Sequence, residues 1–201
     1  MMITYVGIER CDIVYYLLRI GKNLGKNVLA VDNSITGDLF HIHMKEDNSG
    51  VVKNGSVTVM RNRIVGKREA ENYDLVVVYE GMNPEYSNYR DLTIFAPSEN
   101  EAEWELEKPF VANRKGGELL CILRDRSTRK VNESVLSQFF DVEFDEIMEE
   151  EYGDVGYASY VALTHNHSAK IPRNGGIKSI VMNLATTIYK VDAKTLKKAS
   201  R

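Results

Sequence analysis

The sequence has 201 residues, of which 43% are hydrophobic, enough to bury a substantial core in one domain. Lys and Arg number 26 against 29 Asp and Glu, a net charge of -3, so no global basic field exists to attract nucleic acid or anionic lipid. The two cysteines, Cys11 and Cys121, lack CxxC or zinc-ribbon spacing, and with apolar runs of strand length only and no signal-type segment the expectation is a soluble cytoplasmic chain.

Residues 3–8 read as a strand, 12–24 as a helix and 28–31 as a second strand, a β-α-β unit whose crossover is right-handed by rule. Ile13, Leu17, Ile20 and Leu24 form one helical stripe, flanked by Val14, Leu18 and Gly21. Gly25 supplies a left-handed cap, and Val28-Leu29-Ala30-Val31 is the unbroken apolar run of a parallel strand covered on both faces. Residues 33–38 are turn-rich, 39–43 alternate weakly with period two, and 45–50 form a loop. Residues 56–60 and 63–65 suggest a small hairpin or edge pair, followed by a polar connector over 66–72.

The β-branched run within 73–79 predicts a buried central strand, broken by 80–84 and Pro84. A strand over 92–96 stops at Pro97, and Ser98 with Glu101 makes a capping box for a helix from about 99 to 108. Then come a strand at 118–123, a polar loop at 124–130, a helix near 132–140, a short strand at 142–144 and an acidic helix over 146–152. Residues 153–175 read as irregular, 176–189 as a closing helix, and 190–201 as a basic tail prone to fray. Strands alternating with helices predict an α/β domain with a mostly parallel sheet flanked by helices.

Open α/β sheets place their sites in the crevice at the carboxyl ends of the strands. Arg10, Asp32, Tyr79 and Glu80 all fall there. Arg10 could hold an anion at the first helix's N-terminus, or neutralise Glu9 and Asp12. Asp32 could bind a ligand, or cap the following turn through Asn33 and Ser34. His41, His43, His165 and His167 form two i, i+2 pairs that on strands would each project to one face and offer a metal four imidazoles; scattered surface histidines are the simpler reading. The acidic run over 141–151 lacks an EF-hand ladder and reads as a solvated helix face. Tyr86, Tyr89, Tyr152, Tyr157 and Tyr160 suit either an interface or satellite packing.

Taken together, Ile3-Thr4-Tyr5-Val6-Gly7, the run from Leu24-Gly25-Lys26 to Asp32-Asn33 with Thr36-Gly37-Asp38-Leu39, and Tyr73-Asp74-Leu75-Val76-Val77-Val78 resemble, in order and spacing, the MinD/ParA group of deviant Walker P-loop ATPases. The likeness extends loosely to 91–98, 118–126 and the closing helix. It implies a three-layer P-loop NTPase fold of the SIMIBI type, ATP with magnesium as cofactor, and a face-to-face dimer. By the family's spacing Arg10 stands where the invariant lysine belongs, and Cys11 and Asp12 where the magnesium-holding hydroxyl belongs. Asp32 matches the family's catalytic aspartate, whereas Tyr79 replaces a second acidic residue, with Glu80 one step later. No glycine follows Gly7 in the short turn, although a triphosphate cradle needs glycine's conformational freedom. Glu9 and Asp12 would face a polyanion, each unit repulsion costing about 1 kcal/mol in water and several times that near a protein surface.

The resulting expectation is a non-hydrolysing scaffold or localisation factor with a degenerate phosphate loop and no cofactor. The TadZ/CpaE-type branch of pilus and secretion assembly shares such loops. Its partners would be proteins, as a homodimer or with an active relative, without nucleic acid. Membrane contact is not expected, because the tail offers only Val191, Leu196 and alanines on its apolar side. The alternatives are an anion- or ligand-binding enzyme or sensor using the crevice, and a weakly active atypical ATPase.

Overall fold

Unbroken apolar runs build the centre of the sheet. In the computed structural model, which describes residues 1–43, 50–83, 90–114, 116–126, 131–151, 154–172 and 175–201, the strands are β1 (Met2–Gly7), β2 (Val28–Asp32), β3 (Val51–Asn54), β4 (Val57–Arg61), β5 (Leu75–Gly81), β6 (Leu92–Ala96), β7 (Glu118–Arg126) and β8 (Glu146–Glu151). They form one eight-stranded sheet in the order β3-β4-β2-β5-β1-β6-β7-β8. Every pairing is parallel except the antiparallel β3–β4 edge. The helices are α1 (Asp12–Asn23), α2 (Asp38–His43), α3 (Lys67–Ala70), α4 (Trp104–Ala112, entered through a single 3-10 turn), α5 (Glu133–Phe140), α6 (Asp154–Asn166), α7 (Gly176–Tyr189) and α8 (Ala193–Ala199).

Strand parity divides the core. Ile3 and Tyr5 of β1, Leu75, Val77 and Tyr79 of β5, and Leu120 and Ile122 of β7 face a layer made of α1, α2, α6, α7 and α8. The opposite parity packs on Trp104 and Phe110 of α4 and Leu136 and Phe140 of α5, and beyond β1 on Val65 and the α3 region. Helix α1 is the centre of the first layer: its Ile13, Val14, Tyr16, Leu17, Leu18 and Ile20 are all buried, the pattern of a core helix covered nearly all round. Tyr189 of α7 donates its hydroxyl to the Leu17 carbonyl at 2.7 Å, across Gly21, where a Cβ would stand 2.5 Å from that hydroxyl.

Several elements differ from the sequence expectation. Residues 39–43 lie in helix α2, because Leu39, Phe40 and Ile42 are all buried, a set that one face of a strand does not contain. The hairpin partner of β4 is β3, joined through a turn in which Gly55 takes φ +66°, and 63–65 is not a strand. Part of the polar connector at 66–72 coils as α3. The cap before α4 is Asn100, whose side chain accepts from the Ala102 N–H at 3.2 Å. That helix runs on through Pro109 to Ala112, giving up one backbone bond on its exposed side. The acidic segment forms strand β8 instead of a helix, and 142–144 is not a strand. Charged side chains suit β8 because it is an edge strand. Residues 154–166 form α6 where irregular chain was expected. The tail forms α8, capped by Asp192 and anchored by buried Leu196 and Ala199. Loop positions 45–49 and 127–130, Pro84, Tyr86, Tyr89, Tyr152 and Gly153 lie outside the described residues.

Glu107 of α4 is fully buried against the end of β6. One of its oxygens accepts from the Ser98 N–H at 2.9 Å, and the other has no partner among the described residues. Burial pushes this carboxyl up to about 7 from an ordinary 4.5. The folded chain thus prefers Glu107 neutral. Its contribution is fully present below pH 4.5 and is lost as pH rises through about 7. Urea denaturation across this window is expected to show about 2–4 kcal/mol of loss from this group, and Glu107→Gln, which needs no proton to stay neutral, is expected to flatten the slope.

Candidate functional site

The order of the strands reverses at β1: β2 lies to one side of it and β6 to the other, so the ends of β1, β2, β5 and β7 open on one crevice at the N-terminus of α1. The chain leaves β1 through Gly7 at φ +108°, where a Cβ would overlap the Ala96 carbonyl. That approach lets the Ile8 N–H donate to the Ala96 carbonyl at 2.8 Å. Residues 8–11 make a tight turn, closed by the Arg10 N–H on the Ile8 carbonyl at 2.9 Å. Cys11 occupies the N-cap position of α1 without capping it through its side chain.

A helix N-terminus attracts anions through its unpaired N–H groups and its dipole. Here this chain's own carboxylates meet those groups. The Cys11 N–H donates to Asp38 at 3.3 Å and the Ile13 N–H to Asp12 at 2.9 Å. Asp12 is further gripped by Arg124 of β7, whose two terminal nitrogens donate to its two oxygens at 2.6 and 2.8 Å. The Nε of Arg124 donates to Glu150 of β8 at 3.0 Å, and Arg10 reaches Asp12 at 3.4 Å. All four side chains are buried, and two guanidinium groups balance two carboxylates. Burial alone would raise Asp12, but the Arg124 guanidinium outweighs it and holds the carboxyl below its usual range. Burial would likewise lower Arg124, but Asp12 and Glu150 hold it well above its ordinary value.

Glu9, the turn's other acid, accepts from the Ile35, Thr36 and Met82 N–H groups at 3.0, 3.0 and 3.2 Å. It thereby ties the loops after β2 and β5 to the β1–α1 turn. Gly81 makes room for it: at φ +55°, a Cβ there would stand 2.6 Å from Glu9 Cγ. Above the turn, Arg10 lies under the rings of Tyr157 and Tyr160 of α6, at 5.8 and 5.6 Å from the ring centres. Tyr160 donates its hydroxyl to Asp38 at 3.1 Å.

The remaining candidates are each engaged by the fold. Asp32 accepts from the Ser34 N–H and hydroxyl at 3.0 and 2.6 Å and from the Phe40 N–H at 2.7 Å, joining β2 to α2. Burial raises its carboxyl above the ordinary range. Glu80 is paired with buried Arg90 at 3.2 Å. Tyr79 packs on Tyr5 at 5.4 Å between ring centres, and burial followed by Asp38 pushes its phenol well above the ordinary value, so it stays neutral. Burial, then Asp38, similarly keeps the Cys11 thiol protonated, which leaves it a poor nucleophile.

His41 and His43 lie on a helix, while His165 and His167 lie at and just beyond the end of α6, so the geometry of two facing strand pairs does not arise. Among the described residues, no group of three or more His, Cys, Asp or Glu comes together to hold a metal. Arg124, Glu150 and Asp38 are not among the candidate site residues of the sequence, and Tyr160 reads there only as an interface or packing residue. Parity could have found Arg124, which continues the inward row of Leu120 and Ile122, and an arginine on that row must meet a buried acid. Replacing it with methionine would strand Asp12 and Glu150 in the core. Arg124→Met is expected to cost about 3–5 kcal/mol in urea denaturation at neutral pH, and Asp12→Asn is expected to recover part of that loss in the double variant. Since Asp12 sits below its ordinary 3.8 when folded, its contribution is present above that pH and is lost as acid passes through the lowered value.

No protein-family model matches the chain, and no curated protein does. Solved structures do. A ParA family ATPase from Chlorobium tepidum superposes with a TM-score of 0.61 at 10% identity, over 92% of this chain and 96% of that one. A plasmid partition protein from Borrelia burgdorferi bound to AMPPNP gives 0.56 at 9% identity, over 94% and 98%. A chain from the MinC:MinD cell division protein complex of Aquifex aeolicus gives 0.55 at 12% identity, over 96% and 97%. Near-complete coverage of both chains at such low identity shows a common architecture: this chain has the three-layer α/β fold of the ParA and MinD P-loop ATPases.

Proposed function

We propose that this chain is a non-hydrolysing, ParA/MinD-like scaffold or localisation factor in which internal ion pairs take the place of a bound nucleotide. The observation that carries the reading is the grip of Arg124 on Asp12 at the N-terminus of α1, at 2.6 and 2.8 Å and out of contact with water. ATP with magnesium does not fit these residues. The turn after Gly7 lacks the glycines of a phosphate cradle, two N–H groups at the helix start already serve carboxylates, and Tyr160 and Asp38 bridge the space above. A triphosphate would face Glu9 and Asp38, each unit repulsion at 4 Å worth about 4 kcal/mol near a protein surface, while Asp12 already claims the Arg124 guanidinium. Among the described crevice residues, Cys11 and Tyr79 are held protonated and so are poor nucleophiles.

The partition and cell division proteins among the structural neighbours support a positioning role carried out through protein partners. Those partners are a second copy of this chain or an active relative, and the machine positioned is a pilus or secretion assembly. A second reading, an anion- or ligand-binding sensor in the same crevice, is favoured by one observation: the buried hydroxyl of Tyr79 has no hydrogen-bond partner among the described residues. A fluorescent ATP analogue, titrated with and without magnesium, is expected to show no saturable binding up to about millimolar concentration, weaker than ordinary nucleotide-site affinities. Micromolar binding, with or without phosphate release, would contradict the reading. Light scattering without nucleotide is expected to give a dimer, and a strict monomer would exclude constitutive pairing.

A further inference from the structure

A second cavity lies apart from the crevice and shares none of its residues. It is a groove of about 820 Å³ bounded by the outer side of α1, the end of α2, the β3–β4 turn and the segment after α6. That size falls within the range of about 300–1,000 Å³ usual for small-molecule sites. Its floor is apolar, made by the buried side chains of Leu18, Ile42 and Val57. Its polar lining is one-sided: Arg19, Lys22, His43 and His167 contribute, and no Asp or Glu is among the described lining residues. In a chain with a net charge of -3, a groove whose described lining residues carry cations and no carboxylate is a local exception.

The two permanent charges stand one helical turn apart on α1, on the same side. Lys22 donates to the Asn54 side-chain oxygen, a neutral acceptor, at 2.6 Å and forms no ion pair among the described residues. Arg19 donates to the Ala169 carbonyl at 2.5 Å and to a main-chain oxygen of Arg201, the last residue of the sequence, at 3.0 Å. A guanidinium has five N–H donors and an ammonium three, so donors remain on each for a ligand. His43 donates through Nδ1 to the Leu39 carbonyl at 2.9 Å, and burial holds it below its ordinary value and so neutral. Two imidazoles beside two cations are a poor site for a metal ion. The two cations suit an anion; His43, whose one N–H is spent on Leu39, leaves that role to them.

We propose that this groove binds a small amphipathic anion, a free carboxylate with an aliphatic body, whose head is held by Arg19 and Lys22 and whose chain lies on Leu18, Ile42 and Val57. Calorimetric titration of the full chain with sodium decanoate, below its micelle concentration, is expected to give saturable binding with one-to-one stoichiometry. Acetate, which lacks the body, and decylamine, which carries the opposite charge, are each expected to bind at least about tenfold more weakly. Lys22→Glu is expected to weaken decanoate binding by about tenfold or more. Ser168→Trp, a bulky replacement at an exposed position on the groove wall, is expected to weaken it comparably. Circular dichroism identifies a variant that fails to fold, and the three-probe comparison on the wild-type chain does not depend on any variant. Absence of saturable decanoate binding, equal affinity for decanoate and decylamine, or unchanged affinity in two folded variants would overturn the proposal.

Discussion

Asp12 begins the central helix and Arg124 ends the inward row of β7, and the bidentate bond between them closes the end of the molecule where the strands converge. A buried ion pair of this kind adds little net stability, because stripping water from two charges costs about what their attraction returns. What it does enforce is pairing. Glu150 and Arg10 join the pair, and removal of Arg124 leaves the buried carboxylates of Asp12 and Glu150 without the guanidinium that they share. The position of α1 relative to β7 and β8 is therefore specified by charge as well as by the apolar packing of Leu17 and its neighbours.

The surrounding loops follow the same rule. An open α/β sheet ends in N–H groups that need acceptors, and in a nucleotide-binding relative the phosphates are natural candidates. Here Glu9 serves three such groups, Asp38 serves the helix start, and Asp32 serves the beginning of α2. Three carboxylates thus stitch four separate segments together. The tyrosines of α6 then cover Arg10. The crevice is occupied by the fold's own side chains.

The β1-α1-β2 core was legible because its signals are redundant: continuous apolar runs, a helical stripe and the Gly25 stop agree with one another. The elements that were misread are those in which local pattern and tertiary position disagree. Glu146–Glu151 has a helix former's composition but lies at a sheet edge, where charge is favoured and the neighbouring strand supplies the hydrogen bonds. Asp38–His43 is too short for a period to declare itself. Asp154–Asn166 carries small and aromatic residues on several sides, without one apolar stripe. At the site, Arg10 and Asp12 were visible from their place after the first strand. Their partners were not, because Arg124 and Glu150 are distant in sequence and only the parity of a buried strand marks them.

Amide hydrogen exchange of the crevice, followed with and without magnesium ATP, probes the central claim most directly. The N–H groups of Cys11, Ile13, Ile35, Thr36 and Met82 are all bonded to carboxylates within the chain. The expected result is that they are protected before nucleotide is added and that their exchange does not change when it is. Fast exchange in the absence of nucleotide, slowing on its addition, would contradict a crevice held closed by its own side chains.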